Sequence, residues 1–437
     1  MGKEKWSLSS ILTEESIIVL KKHYGKGLYQ KMLNFMMKRK SLDLFSKSSE
    51  VFMFDISGKP LEEQVKLLIL RDLLRLDWEV KIQNNKIEVL PPVNYNKETI
   101  KQSMAIRRNE IIAKNKKWIE KNIDFARKNL ATGYEAFHSE IKPVIEVCQT
   151  QKQHDLFRIF RYYWSSPYSE YVGRRIKLII RDAAVKNKPV IGIAAIGSPI
   201  IHIPERDNFI GWDKNTRTDN LVYLMDAYVI GAVPPYNLLL GGKLISYILA
   251  SNEIRKIYRQ KYKDKFTIIG NRKANDLVGI FTTSLYGRSS QYNKIKFRSK
   301  LLYQPIGETK GFGTLHLTEE TLQYMRKLLL EKGIIVGNKF GDGPSWRMRV
   351  IRTTGDILGF DADFLLNHSF KRKIYYVPLA KNSIEFLNGQ AQKPEYFDYP
   401  LNELVAYWKE RWLINRKTKL DIVHRVLQFQ PEQFFIL

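Results

Sequence analysis

Seven consecutive residues, Val190-Ile191-Gly192-Ile193-Ala194-Ala195-Ile196, contain no polar side chain. Pro189 precedes the run and Gly197-Ser198-Pro199 ends it. A bounded apolar run of this length reads as a central strand, covered on both faces. Asn220 to Gly231 and Leu277 to Thr283 read as two more core strands, and the three are expected in one sheet. Pro235 to Leu249 reads as a helix packed on that sheet, entered through the turn Leu240-Gly241-Gly242-Lys243, and Leu317 to Gly333 reads as another helix. The fold class is therefore mixed α/β.

Helical and mixed segments flank this core. Leu61 to Leu76 has apolar residues at helical spacing after the breaker Ser57-Gly58-Lys59-Pro60, and Lys81 to Leu90 alternates like a hairpin around Asn84-Asn85. Thr99 to Leu130 reads as one long charged helix. Arg174 to Asp182 reads as an amphipathic helix. These readings divide the chain into a module at 1–95, a basic helical region at 96–188, the α/β core at 189–340, and a basic, aromatic module at 341–437 that follows Gly341-Asp342-Gly343-Pro344. A chain of 437 residues is too long for one ordinary core.

Charge narrows the partners. Lys and Arg number 72 against 45 Asp and Glu, a formal net charge of +27. Such an excess favours polyanions: DNA, RNA or an anionic membrane surface; nucleic acid is the expected partner, with DNA placed ahead of RNA. The excess is concentrated: Lys101 to Lys128 holds nine Lys and Arg against three acids. A second cluster lies at 158–181, where Leu156-Phe157-Arg158-Ile159-Phe160-Arg161-Tyr162-Tyr163-Trp164 interleaves aromatics with arginines. That pattern suits base stacking and phosphate contact, and equally a helix with one aromatic face in a core. The single cysteine, Cys148, excludes an internal disulfide and a cysteine-based zinc cluster, and fits a reducing cytoplasm. The most membrane-like stretch, Leu221 to Leu240, contains Asp226 and Pro234-Pro235 and reads as strand, turn and helix start, so no membrane partner is expected.

Three stretches carry candidate chemistry. His202-Ile203-Pro204-Glu205-Arg206-Asp207 follows the first core strand and suits acid–base work by Glu205 and Asp207, with Arg206 on a phosphate. The Gly241-Gly242-Lys243 turn offers bare N–H groups and a lysine at a helix start; its spacing is not that of a Walker loop. Thr282 to Asn293 gathers hydroxyls with Gly287, Arg288, Ser290, Tyr292 and Asn293, followed by the glycine-punctuated loop Ile306 to Gly313 with Lys310. The expectation is one pocket at the strand ends. Arg206, Asp207, Lys243, Arg288, Ser290, Tyr292 and Asn293 are expected to converge in it; Glu205, Asp207 and Tyr292 are the catalytic candidates, and Arg206, Lys243, Arg288, Ser290, Asn293 and Lys310 hold phosphate or nucleic acid. No metal-ligand set is seen, and no cofactor is specified.

Motifs in order along 120–320 give the chain a resemblance to the Druantia A protein family of bacterial anti-phage defence. They include Trp164-Ser165-Ser166-Pro167-Tyr168, Gly173-Arg174-Arg175, Gly197-Ser198-Pro199, Arg206-Asp207, Ile210-Gly211-Trp212 and Gly231-Ala232-Val233-Pro234-Pro235-Tyr236-Asn237. Thr282-Thr283-Ser284, Gly287-Arg288-Ser289-Ser290 and Gly307-Glu308-Thr309-Lys310-Gly311 complete the set. The resemblance implies a cytoplasmic part of a multi-gene defence locus working beside a large helicase, and implies no particular reaction. The same core looks like that of GNAT acyltransferases, which implies an acetyl-CoA turn; Leu240-Gly241-Gly242-Lys243 lacks the arginine or glutamine of that turn. A nucleic-acid binder, an acyl- or nucleotidyl-type transferase acting on DNA or RNA, and an adaptor recruiting the helicase all remain open at this point.

Overall fold

The structure is a computed structural model that describes residues 56–76, 78–83, 86–91, 96–168, 173–267, 271–314, 316–337 and 346–436. Residues 1–55, the Asn84-Asn85 turn and the break at 341–344 lie outside the described residues. The chain divides into two compact units, one built from 1–110 and 310–370, the other from 111–309 and 371–437.

In the first unit the expected helix is present at Leu61–Leu74, and the expected hairpin pairs Glu79–Gln83 with Lys86–Leu90. Helices Glu319–Glu331 and Trp346–Leu358 pack with them around Val65, Leu73, Met325, Leu329, Ile351 and Phe360. Buried Asp72 anchors the Glu319–Glu331 start, accepting from the Thr318 N–H at 2.7 Å and the Thr321 hydroxyl at 2.6 Å.

The second unit is built on a seven-stranded sheet. Its strands are β1 (Pro143–Val147), β2 (Arg175–Asp182), β3 (Val190–Gly197), β4 (Leu224–Ala232), β5 (Gly279–Thr283), β6 (Gln304–Glu308) and β7 (Lys373–Pro378), in the order β6-β7-β5-β4-β3-β2-β1. Neighbours are antiparallel except β4 and β5, which run parallel with Met225 opposite Ile280. The three expected core strands are therefore adjacent, and every residue of β3 is buried. The sheet also takes strands from the sequence segments 96–188 and 341–437.

Helices of this unit used below are α1 (Lys116–Arg127), α2 (Gln151–Tyr162), α3 (Pro204–Ile210), α4 (Gly241–Leu249) and α5 (Asn252–Tyr262). On one face of the sheet Leu178, Ala194, Ile280 and Tyr375 meet Leu244 and Ile248 of α4, as expected for the helix after Gly242. On the other face Ile179, Ile193 and Val229 pack on Phe157 and Phe160 of α2, while Phe281, Ile374 and Tyr376 pack on Ile210 and Trp212. Full burial of each such side chain is worth roughly 1.5–3 kcal/mol.

Two expectations are corrected. Arg174 to Asp182 is not a helix: it supplies β2, with Ile176, Leu178 and Ile180 on one face and Ile179 on the other. Strand pairing with β1 and β3 decides between two periodicities that this short apolar segment nearly satisfies at once. The long charged helix is two helices, Lys97–Lys114 and α1, broken at Asn115, whose φ and ψ of −108° and 13° leave the helical region.

Candidate nucleic-acid interface

The structure brings only part of the expected pocket together. Lys243 sits in the first turn of α4, almost buried, with its ammonium donating to the Ser290 carbonyl and lying 4.3 Å from the Trp412 ring. Burial, then repulsion from Lys294 and Arg411, lowers its pKa to about 8. At the 289–293 turn that carries Ser290, the hydroxyl of Tyr375 in β7 donates to Asn293 Oδ1 at 2.6 Å and accepts from the Ser289 N–H at 3.2 Å. Arg288 is exposed beside Tyr375, and Gly287 takes φ +67°, a conformation open to glycine. Tyr292 stacks on Tyr303 at 5.1 Å and meets Tyr375 edge-on at 5.1 Å inside the core. Burial pushes its phenol up, away from the range in which a tyrosine exchanges protons near neutrality.

Glu205, Arg206 and Asp207 lie elsewhere. Their helix α3 packs through Ile210 on Phe281, Ile374 and Tyr376, whereas Tyr292 packs with Ile280, Tyr375 and Val377. Successive strand residues face opposite ways, so the two groups occupy opposite faces of the sheet. Arg206 is fully buried and committed. It donates to Ile200 O at 2.6 Å, Ile201 O at 2.9 Å and Asp207 Oδ1 at 2.7 Å, with the Trp212 ring at 5.7 Å. Asp207 Oδ2 lies 2.9 Å from His202 Nδ1 and 3.2 Å from Arg217 Nη1. This ion cluster folds the 200–207 loop. Half-buried Glu205 lies against β6, where a Cβ on Gly307 would sit 3.1 Å from the Glu205 Cβ. Lys310 is exposed and belongs to the other unit. The single convergent pocket is thus not what this chain builds.

A basic cleft stands apart from that pocket. Gln151, His154, Asp155 and Arg158 fall at i, i+3, i+4 and i+7 along α2, one face of the helix. Arg175 and Lys177 alternate with core residues Ile176 and Leu178 and so project from the opposite sheet face, the one α2 covers. β1 stops at Val147; the Cys148 N–H still donates to Lys177 O at 2.9 Å. Beyond it, among the described residues, α5 meets the start of β2: Lys261 donates to Arg175 O at 2.9 Å and the Tyr262 hydroxyl accepts from the Arg175 N–H at 2.8 Å. Together with Tyr168 these residues line a cleft of about 440 Å³.

Among the described lining residues Arg158, Arg175, Lys177 and Lys261 face one carboxylate, Asp155. Arg158 is held flat, its guanidinium 4.3 Å from the Trp118 ring, and it donates to the Tyr162 hydroxyl at 2.8 Å and Asn115 Oδ1 at 2.8 Å. Lys177 donates to the Tyr168 hydroxyl at 3.4 Å. Burial and the neighbouring Arg175 lower the Lys261 pKa. Burial raises the Cys148 thiol to about 12, so this wall of the cleft is a neutral thiol and not a nucleophile. Among the described residues no three His, Cys, Asp or Glu side chains are placed to hold a metal, and no helix is long and apolar enough to cross a membrane.

The basic, aromatic stretch at 156–181 signalled part of this cleft. Phe157 and Phe160 went to the core, Arg158, Arg175 and Lys177 line the opening, and Arg161 is buried on Ser166 and Pro167. Lys261 was missed, because along the sequence it is one more cation on a solvated helix.

The cleft falls inside the region that known proteins share with this chain. A family model described as Druantia protein DruA matches residues 94–389. The chain belongs to the DruA family. It is 35% identical over 328 residues to a curated Druantia protein DruA of Escherichia coli (strain UMEA 4076-1), covering 74% of this chain and 80% of that protein. No solved structure matches, so the acyltransferase likeness gains no support from a known fold.

Proposed function

We propose that this DruA-family chain is a component of Druantia anti-phage defence that binds nucleic acid, DNA ahead of RNA, through the cleft between α2 and β2. One observation carries the reading: among the described lining residues, four cations around one carboxylate in a concave site, on a chain of net charge +27. Phosphates entering such a site displace condensed counterions, and that release supplies sequence-independent affinity. The family is the support for a defence role beside a helicase and other proteins of the locus. The lone, buried cysteine fits work in the cytoplasm.

The test is titration of a labelled DNA at several salt concentrations, with the parent chain and with Arg175→Ala and Lys177→Ala. Binding should weaken steeply with salt. Each variant should lower the slope of log affinity against log salt by roughly 0.7–0.9, the loss of one phosphate contact. Absent binding at low salt, or affinity indifferent to salt, would refute the reading.

A further inference from the structure

Resting on that nucleic-acid reading, we propose that the cleft takes a single nucleoside phosphate and does not track the backbone of a continuous duplex. The phosphorylated end of a single strand and a free nucleotide share this chemistry. Size is the first argument. A volume of about 440 Å³ is that of a small-ligand pocket. Surfaces that follow duplex DNA spread instead over roughly 1,000–2,500 Å² of protein.

The arrangement of charge is the second. Arg175 and Lys177 project from the same face of one strand, about 7 Å apart along it. Lys261 comes to the same end, bonded to the Arg175 carbonyl at 2.9 Å. Three cations on the wall of one cleft match a terminal phosphate, which carries about −1.5 to −2 near neutrality, better than an internal diester of charge −1. Among the described residues β1 pairs with β2 only as far as Val147 and Leu178, and α5 takes over the edge beyond, where the Tyr262 hydroxyl meets the Arg175 N–H at 2.8 Å and Lys261 reaches the Arg175 carbonyl.

The third is the wall beyond the phosphate end. Tyr168 is fixed there by its hydroxyl on Lys177 and by a tilted contact with Tyr162 at 5.2 Å. Arg158 is pinned as a flat plate 5.8 Å from the Tyr168 ring centre. A tyrosine ring and a flat guanidinium are the groups on which an unpaired base stacks, whatever its sequence. A base inside a duplex is already stacked on its neighbours and cannot reach them.

The full chain is assayed by fluorescence anisotropy against four probes. These are a single strand with a 5′-phosphate, one with a 3′-phosphate, the same strand with hydroxyl ends, and a duplex closed by loops at both ends. Nucleoside monophosphate serves as competitor. The expected result is about tenfold tighter binding of a phosphorylated end than of the hydroxyl-ended strand. Monophosphate should compete, and Lys261→Ala should abolish the preference while Lys261→Arg retains it. Circular dichroism confirms that both variants fold, and Lys177→Ala gives a second, independent arm. Competition by monophosphate without any end preference would assign the site to a free nucleotide, the same chemistry from its other source. Equal binding of all four probes, with no competition, would overturn the inference and leave the nucleic-acid reading standing. An end preference untouched by both alanine variants would also overturn it. Failure of every probe at low salt would remove the underlying reading.

Discussion

Replacing Lys243 by methionine should favour the folded protein more at pH 7 than at pH 9.5, relative to the parent. The lysine is 8% exposed, and among the described residues no carboxylate is paired with it. Burial, Lys294 and Arg411 bring its pKa from 10.5 to about 8. The folded state thus holds this proton more weakly than the unfolded chain, so the charged ammonium opposes folding. At 1.36 kcal/mol per pH unit the cost at pH 7 is about 3 kcal/mol. It is present in full below pH 8, shrinks as the folded protein releases the proton above that value, and vanishes beyond the unfolded pKa. At pH 9.5 about 1.4 kcal/mol remains by the same linkage. Methionine has a similar stem, no charge, and a sulfur that suits the Trp412 ring. The stability gap between Lys243→Met and the parent should therefore be about 2 kcal/mol wider at pH 7 than at pH 9.5. Urea unfolding followed by tryptophan fluorescence measures it, and titration of all other groups cancels in the difference. A gap indifferent to pH, or one that widens toward pH 9.5, would refute the reasoning. Loss of phage protection in a variant that has become more stable would show that the lysine is kept for a task other than folding.

Three further outcomes are expected. Asp207→Ala should lower stability by about 3–5 kcal/mol in thermal melts, because Arg206 is left buried and charged without its carboxylate; a melt close to the parent's would mean that the cluster does not hold the 200–207 loop. Gly192→Ala should cost roughly 1–3 kcal/mol or more, since its Cβ would collide with the Gly231 carbonyl across the β3–β4 pairing; unchanged unfolding in urea would contradict the register. Arg288→Ala should leave stability within about 0.5 kcal/mol, as befits an exposed turn residue, and full phage protection by this variant would take Arg288 out of any functional site.

The central strand was legible because burial on both faces leaves its mark on every residue: β3 contains no polar side chain, and Pro189 before it and Gly197-Ser198-Pro199 after it hold the run to strand length. β2 was not, because Arg174-Arg175-Ile176-Lys177-Leu178-Ile179-Ile180-Arg181 places apolar residues at positions that serve a helix stripe or a strand face. The choice falls to the partner strands, which lie far away in the chain or beyond a turn. The expected pocket failed for a topological reason. Ligand sites at strand ends presume strands that run the same way with loops emerging together. Here β3 is antiparallel to β4, and the chain leaving β3 crosses to the face opposite α4. Arg206 and Lys243 therefore each sit in the helix that follows a core strand, on opposite faces of the sheet.

The cleft divides along the same line between local and distant information. Cys148, the α2 face, Tyr168, Arg175 and Lys177 come from one strand–helix–strand passage, so a basic, aromatic sequence of about thirty residues announces them together. Lys261 reaches them from α5 only because β1 is too short to cover the first residues of β2. A strand's length is set by where pairing stops being favourable, and pairing is a property of two segments at once. No pattern within α5 encodes it. The cation that most sharpens the charge of the site is for that reason the one its own neighbourhood in the sequence leaves unmarked.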